Sequence, residues 1–530
     1  MYWIWISIAF LCGFLARQIG LPPLVGYLFA GFGLQLAGVK PDPSLDTLGD
    51  IGISLLLFTI GLKLRLGNLR KAEVFGAASA HMLTIVLLTT ANCFFLGALG
   101  MFYFADISLA AAVLVGFAVS FSSTVIAVKV LEENGEMRTR HGQVAIGILI
   151  VQDIAAVAFV TLVSDTHFGW QLAGLLLLPL FVPLLGSLLS RSGHGELLPL
   201  SGICIALIGG VFFEWMGLKA HLGALVFGLL LSRHAQAVEL SRSLLHFKDL
   251  FLIGFFLSVG FVALPNLQML AVALVMALAL PFKAILFYFW LLLFRMRARS
   301  AFLAALALAN YSEFGLIVAA LSVKQGLLDE DWLVIIALSV ALSFIFSSAL
   351  NAWSNNLYEY WQGFLKRFER SNALLEDAVA YPGDVEVLVV GMGRVGGGAY
   401  DTLREEWGNT VYGMDVESSR AAEQAERGRR VICGDAEDPD FWPRLNLHRL
   451  RVVMFSLPNY KDTLQAVAQL KRAGFTGKTA SISRYEDEKE KLLEGGVDEV
   501  HNFYAEAGAG FAEQCRDLLG KPVAARASGN

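Results

Sequence analysis

Charge is scarce in this chain. Asp, Glu, Lys and Arg supply 16% of its 530 residues against 56% hydrophobic, and the mean hydropathy is +0.60. That balance excludes a soluble multidomain enzyme and makes lipid the solvent. Cysteine is scarce too: Cys12, Cys93, Cys204, Cys433 and Cys515 are scattered with no CxxC pair, so neither a disulfide framework nor a zinc site is indicated. No excess of positive charge exists either, the net charge being -5, and nothing points to a nucleic-acid partner. The first apolar stretch lacks a basic n-region and a small-residue cleavage site, so it reads as a retained span and not as a signal peptide.

What is abundant is long apolar sequence. A span needs roughly 20 mostly apolar residues, and such stretches recur from Trp3 to Trp353. Thirteen transmembrane helices are expected, at about 3–19, 22–38, 47–64, 74–101, 107–130, 142–164, 168–190, 196–217, 220–232, 248–264, 267–294, 300–323 and 331–355. Cytoplasmic loops retain Lys and Arg. With the polar C-terminal region placed inside, alternate loops hold fifteen basic residues: Arg17; Lys63, Arg65, Arg70 and Lys71; Lys129, Arg138 and Arg140; Arg191; Arg233, Arg242 and Lys248; and Arg295, Arg297 and Arg299. The opposite loops hold Lys40, Lys219 and Lys324. An odd number of spans with the N-terminus outside follows. Lys283 fits in no loop.

The apolar region, residues 1–355, repeats itself. Val25 to Phe32 (VGYLFAGF) is echoed by Leu222 to Leu229 (LGALVFGL), and Asp50 to Gly61 (DIGISLLLFTIG) by Asp249 to Gly260 (DLFLIGFFLSVG), at offsets of 197 to 199. Seven spans separate the copies, so the halves have opposite orientations, and inverted repeats place a binding site where helices of each half break. One candidate break per half exists. Val119-Ser120-Phe121-Ser122-Ser123-Thr124 interrupts the fifth span, and Asn310-Tyr311-Ser312-Glu313-Phe314-Gly315 the twelfth. Their hydroxyl and amide groups can satisfy backbone freed by unwinding, while exposed carbonyls suit a dehydrated cation.

Asp153 is the sharpest residue, near the middle of the sixth span beside Gln152. A carboxylate there costs at least ~2.5 kcal/mol and is a functional hypothesis by default. Such a carboxyl can exchange a proton for a bound K+ or Na+, which is the minimal chemistry of an antiporter. Gln152, Ser122, Ser123, Thr124, Ser312 and Glu313 are expected to complete the ion site. One carboxylate implies one proton per monovalent cation. Lys283, after Pro281, either joins the site, by pairing with a carboxylate or neutralising unwound helix ends, or simply salt-bridges Glu313. His81 and Glu214 read as satisfied polar residues.

After a polar linker, 356–383, the region 384–530 changes character. Val385 to Val390 (VEVLVV) reads as a buried strand leading into Gly391-Met392-Gly393-Arg394-Val395-Gly396, a GxGxxG turn at a helix start. Its glycines permit a tight turn and close approach of backbone N–H groups to phosphate. Asp415 ends a second strand 19 residues after Gly396, where an acid can bind ribose hydroxyls. Asp435, followed by Ala436, ends a third, placed to meet an adenine or ribose edge. No substrate-binding domain follows, which favours sensing over hydride transfer, so the chain is not expected to be an enzyme.

Val119 to Thr124, Val151 to Ala156 (VQDIAA), Ser312-Glu313-Phe314 and the attached GMGRVG domain resemble the Kef-type monovalent cation:proton antiporters of bacteria. The resemblance implies the sodium/proton antiporter fold with crossed broken helices, two six-helix inverted repeats plus one helix, and a homodimer in the bacterial inner membrane. It also implies potassium efflux against protons with Asp153 as the ion-binding carboxylate, and an RCK/KTN module of Rossmann type that binds AMP or NAD(H) as regulatory ligand. In glutathione-gated members an acidic cluster precedes the tenth span; here Val238 to Lys248 (VELSRSLLHFK) keeps one acid and gains an arginine, which argues against glutathione as a partner. RCK modules also serve channels, but no TVGYG filter occurs, and an NAD-dependent oxidoreductase would need a substrate site that is not found. The choice between K+ and Na+, and whether the nucleotide activates or inhibits, stay open in the sequence.

Overall fold

The computed structural model describes residues 2–515 except 19–22, 40, 42, 64–70, 134–135, 164–177, 194, 217–219, 235, 371–373, 375–376 and 378–384. The start of the seventh expected span, Lys219, Arg65, Arg70 and much of the expected linker lie outside the described residues. Two compact units emerge: residues 1–130 with 143–373, and residues 131–142 with 374–530.

The first unit is helical: α1 Tyr2–Gln18, α2 Pro23–Leu36, α3 Pro43–Lys63, α4 Ala72–Ala98, α5 Leu109–Ser120, α6 Thr124–Glu133, α7 Arg140–Val163, α8 Leu178–Ser192, α9 Leu197–Trp215, α10 Ala220–Leu231, α11 Ala237–Gly260, α12 Leu267–Leu278, α13 Leu280–Leu293, α14 Ala298–Ala307, α15 Glu313–Lys324, α16 Glu330–Ala352 and α17 Ser354–Leu365. Among the described residues six helical stretches are long and apolar enough to cross a membrane, and shorter apolar helices accompany them. The fifth, eleventh and twelfth expected spans are each two helices in tandem, α5/α6, α12/α13 and α14/α15. Helix length alone therefore does not recover thirteen spans.

The sequence echo becomes a packing echo. A Cβ on Gly31 of α2 would meet Leu257 O and Gly260 Cα of α11, and one on Gly260 would meet Leu28 O and Gly31 Cα. The same relation recurs between the other pair of copies, where Gly61 of α3 and Gly228 of α10 each face the other's backbone. Gly31 answers to Gly228 and Gly61 to Gly260 in the repeat, so two quasi-equivalent close crossings hold α2, α3, α10 and α11 together. In lipid no hydrophobic force separates helix from tail, so such backbone approach through glycine supplies the association.

The second unit contains a six-stranded parallel sheet: β1 Val387–Val390, β2 Val411–Asp415, β3 Val431–Cys433, β4 Val452–Phe455, β5 Lys478–Ser483 and β6 Glu499–Asn502. The strand order is β3-β2-β1-β4-β5-β6. Its helices are α18 Arg394–Trp407, α19 Ser418–Glu426, α20 Tyr460–Arg472, α21 Glu486–Glu494 and α22 Phe503–Cys515. β1 is buried at all four residues, as a central parallel strand covered on both faces must be. The order reverses between β1 and β4, and the crevice beyond their carboxyl ends is where such sheets bind ligands.

Gly228→Val and Gly61→Val should each lower the melting temperature of the detergent-solubilised protein by several degrees, on the order of 1–3 kcal/mol for overpacking. Gly33→Ala, where an added Cβ meets nothing within 4 Å, should leave it within a degree; the check is a thermal-stability assay on all three.

Candidate functional sites

The two broken helices meet. Helix α5 stops at Ser120 and α6 starts at Thr124, while α14 stops at Ala307 and α15 starts at Glu313 with Ser312 as its N-cap. A Cβ on Gly315 would collide with Ala118 O, so the halves cross in near contact. Each break frees backbone groups that must be paired where water is absent. Ser122 N–H donates to Gln152 Oε1 at 2.9 Å, and Gln152 Nε2 donates to Ser120 O at 3.2 Å. The amide thus replaces the missing helical turn of α5. Asn310 Oδ1 accepts Ser123 N–H at 2.6 Å and Asn310 Nδ2 donates to Ala307 O at 3.0 Å. Ser122 Oγ ties one break to the other by donating to Leu308 O at 2.8 Å.

Lys283 of α13 resolves its sequence alternatives. Its ammonium donates to Val119 O at 3.1 Å, Phe121 O at 2.6 Å and Asn310 O at 2.8 Å, and lies 5.0 Å from the Tyr311 ring centre. These carbonyls end α5 and follow α14, where the helix dipole is negative. Of the two alternatives, the ammonium neutralises unwound helix ends and not Glu313, whose Oε2 accepts from Ser123 Oγ at 3.1 Å and Ser312 Oγ at 3.4 Å. Some of the unwound carbonyls expected to face a transported cation are therefore taken by a tethered one.

Asp153 lies one residue beyond the Gln152 clamp on α7 and is 3% exposed. Thr124, the first residue of α6, donates its hydroxyl to Asp153 Oδ2 at 3.3 Å. The fold thus brings Asp153, Gln152, Ser122, Ser123, Thr124, Ser312, Glu313 and Lys283 to one crossing. Sequence places Asn310 in the break without a pairing role, and it gives no role to the stripe Ser343, Ser347 and Asn351. Ser343 Oγ accepts Tyr311 N–H at 3.1 Å, and Asn351 donates to Leu306 O at 3.1 Å. Their spacing of four residues along α16 was the available signal.

One other expectation changes. His81 is fully buried and stacks on Phe287 at 3.4 Å, but among the described residues neither ring nitrogen has a hydrogen-bond partner. Glu214 sits exposed near the end of α9 and lines a cavity of about 870 Å³ with Asp50, Ser54, Ser258, Val157 and Val160. Val157 is one helical turn beyond Asp153 on α7.

In the second unit a cavity of about 780 Å³ is lined by Gly391, Gly393, Arg394, Val395, Gly396, Asp415, Asp435 and Ala436, every nucleotide-site residue expected from sequence. Gly391 has φ +91°, and a Cβ there would press on Ser456 O at 2.7 Å. One on Gly396 would overlap Gly391 O, whereas Gly393 faces open space. That open glycine at the N-terminus of α18 leaves room for a phosphate to approach the backbone. Asp415 is aimed by Met392 N–H (2.9 Å) and Glu417 N–H (3.0 Å), with Arg420 at 3.5 Å. The residues fit a nucleotide: phosphate at Gly393, ribose at Asp415. Ser456, Tyr460, Asp462 and Arg484, which also line the cavity, went unread because they follow later strands with no motif of their own. Burial, together with Glu136 and Asp435 nearby, pushes the Asp462 carboxyl up to about 7.

With the geometry established, comparison with known proteins assigns the class. A family model for the transmembrane sodium/hydrogen exchanger matches residues 6–352, and one for the TrkA-N domain matches residues 387–503. The chain belongs to the sodium/hydrogen exchanger family, as an integral membrane cation/proton antiporter carrying a C-terminal TrkA-N domain. YbaL of Escherichia coli (strain K12), whose name describes a cation/proton antiporter, is 28% identical over 93% of this chain and 92% of its own. KefB of Alkalimonas amylolytica, named as a K(+) efflux antiporter, is 26% identical over 98% of this chain and 82% of its own. Among solved structures, the sodium proton antiporter MjNhaP1 of Methanocaldococcus jannaschii has a TM-score of 0.43 at 15% identity, covering 69% of this chain and 96% of that one.

Gln152→Leu should leave two buried backbone groups unpaired, at about 1–3 kcal/mol each, and so lower the melting temperature of the solubilised protein more than Gln152→Glu does. For the nucleotide cavity, NAD+ keeps its pyrophosphate charge between pH 6 and 8, whereas a carboxyl titrating at about 7 is ionised above that pH and neutral below it. NAD+ should therefore bind more tightly at pH 6 than at pH 8, by about threefold to tenfold, and Asp462→Asn should flatten that dependence in calorimetric titration.

Proposed function

We propose that the protein exchanges a monovalent cation for protons across the bacterial inner membrane by alternating access, with Asp153 as the group that holds one or the other. The observation that carries this reading is a carboxylate 3% exposed, held by Thr124 beside a crossing of broken helices where Gln152, Asn310 and Lys283 pair freed backbone groups. An ionised carboxylate in such a place needs a positive ligand, and a proton or a metal cation can serve but not both. In this reading Thr124 shares the cation with Asp153, and Ser123, Ser312 and Glu313, hydrogen-bonded to one another at the same crossing, are the further oxygens proposed for its coordination shell.

Potassium is the proposed cation. The name of the Alkalimonas amylolytica relative, with 98% of this chain matched, supports it over sodium. The cavity reaching Val157 supports access to Asp153 from one side in this conformation. One carboxylate supports a one-for-one exchange that moves no net charge, so membrane potential, worth ~2.3 kcal/mol per charge per 100 mV, would not drive it. The distribution of Lys and Arg supports an outside N-terminus and a cytoplasmic nucleotide domain. Control by AMP or NAD(H) in that domain, and a homodimer, complete the reading.

The test is flux into proteoliposomes with an internal pH-sensitive dye. Potassium should drive dye response in the wild-type protein, and Asp153→Asn should abolish it, at least a hundredfold, while eluting and melting as the parent does. Wild-type exchange by Asp153→Asn would remove the role assigned to this residue.

A further inference from the structure

The end of α6, the start of α7 and the residues between them, 131–142, group with the parallel-sheet unit, and Glu136, Met137 and Thr139 line the same 780 Å³ cavity as the GxGxxG turn. Residues 136–142 have a built conformation. Thr139 Oγ1 donates to Glu136 O at 2.7 Å and accepts Gly142 N–H at 3.1 Å. His141 Nε2 lies 3.3 Å from the Glu136 carboxylate, and both side chains are buried. A Cβ on Gly142 would overlap Glu136 O, so the turn needs glycine there. Glu136–Arg138 forms one turn of 3-10 helix.

We infer that residues 136–139 are a wall of the nucleotide site and contact the base and ribose of a bound adenosine nucleotide. The assignment to that end of the ligand follows from charge. Phosphates belong at Gly393 and the N-terminus of α18, where backbone N–H groups and Arg394 favour anions. Glu136 repels a phosphate but accepts hydrogen bonds from ribose hydroxyls or the adenine amino group, and Met137 offers a polarisable apolar face to a flat ring. The segment is also the covalent connection between α6, whose first residue holds Asp153, and α7, which carries Asp153. A ligand that orders it acts on the two helices that build the cation site, which gives nucleotide control a local route. This inference rests on the nucleotide reading of the cavity.

The test is backbone hydrogen exchange on the full-length protein in detergent, with and without saturating NAD+ or AMP, together with calorimetric titration of Met137→Ala and Glu136→Gln. Protection of residues 136–142 alongside residues 391–396, with affinity weakened about fivefold in Met137→Ala, is the expected result. Protection confined to 391–396, with parental affinity in both variants, would overturn the wall while leaving the nucleotide site in place. Protection of neither segment by either ligand would remove the nucleotide reading and the wall with it.

Discussion

Backbone polar groups inside a lipid-embedded fold have no water to turn to, and each one left unpaired costs several kcal/mol. The broken helices are possible only because specific side chains take over the lost pairing. Gln152 bridges Ser120 and Ser122, Asn310 bridges Ala307 and Ser123, and the Lys283 ammonium closes three carbonyls at once. With these demands met locally, the Thr124 hydroxyl meets the Asp153 carboxylate and the Ser123 hydroxyl the Glu313 carboxylate at the same crossing.

The same economy governs the frame around the crossing. Gly31 against Gly260 and Gly61 against Gly228 let four helices approach to backbone contact, twice over, by quasi-equivalent means. Helices packed that tightly through dispersion move as rigid bodies and not as deformable ones.

The soluble domain solves the opposite problem with the same tool. There a helix N-terminus, opened by Gly391, Gly393 and Gly396, offers N–H groups to an anion. In the membrane unit the N-terminus of α15 begins with Glu313, and the carbonyl ends of α5 and α14 face an ammonium. Helix ends are the fixed partial charges in both places; the ligand differs because the sign differs.

Much of this was legible in the sequence because its causes are local. A mid-span Asp153, polar interruptions at 119–124 and 310–315, and a GxGxxG turn followed 19 residues later by Asp415 each announce themselves within one window. The repeat was legible too, since Gly31 and Gly228 recur in the same context. What tertiary structure alone decided were the long-range pairings. Lys283 reaches carbonyls 162 and 164 residues away, the serine and asparagine stripe of α16 props the second break, and residues 131–142 fall in the same compact unit as a sheet that begins some 250 residues later. Residue type states what a side chain can donate or accept, but which distant group it meets depends on how the helices cross, and that is a property of the packed whole.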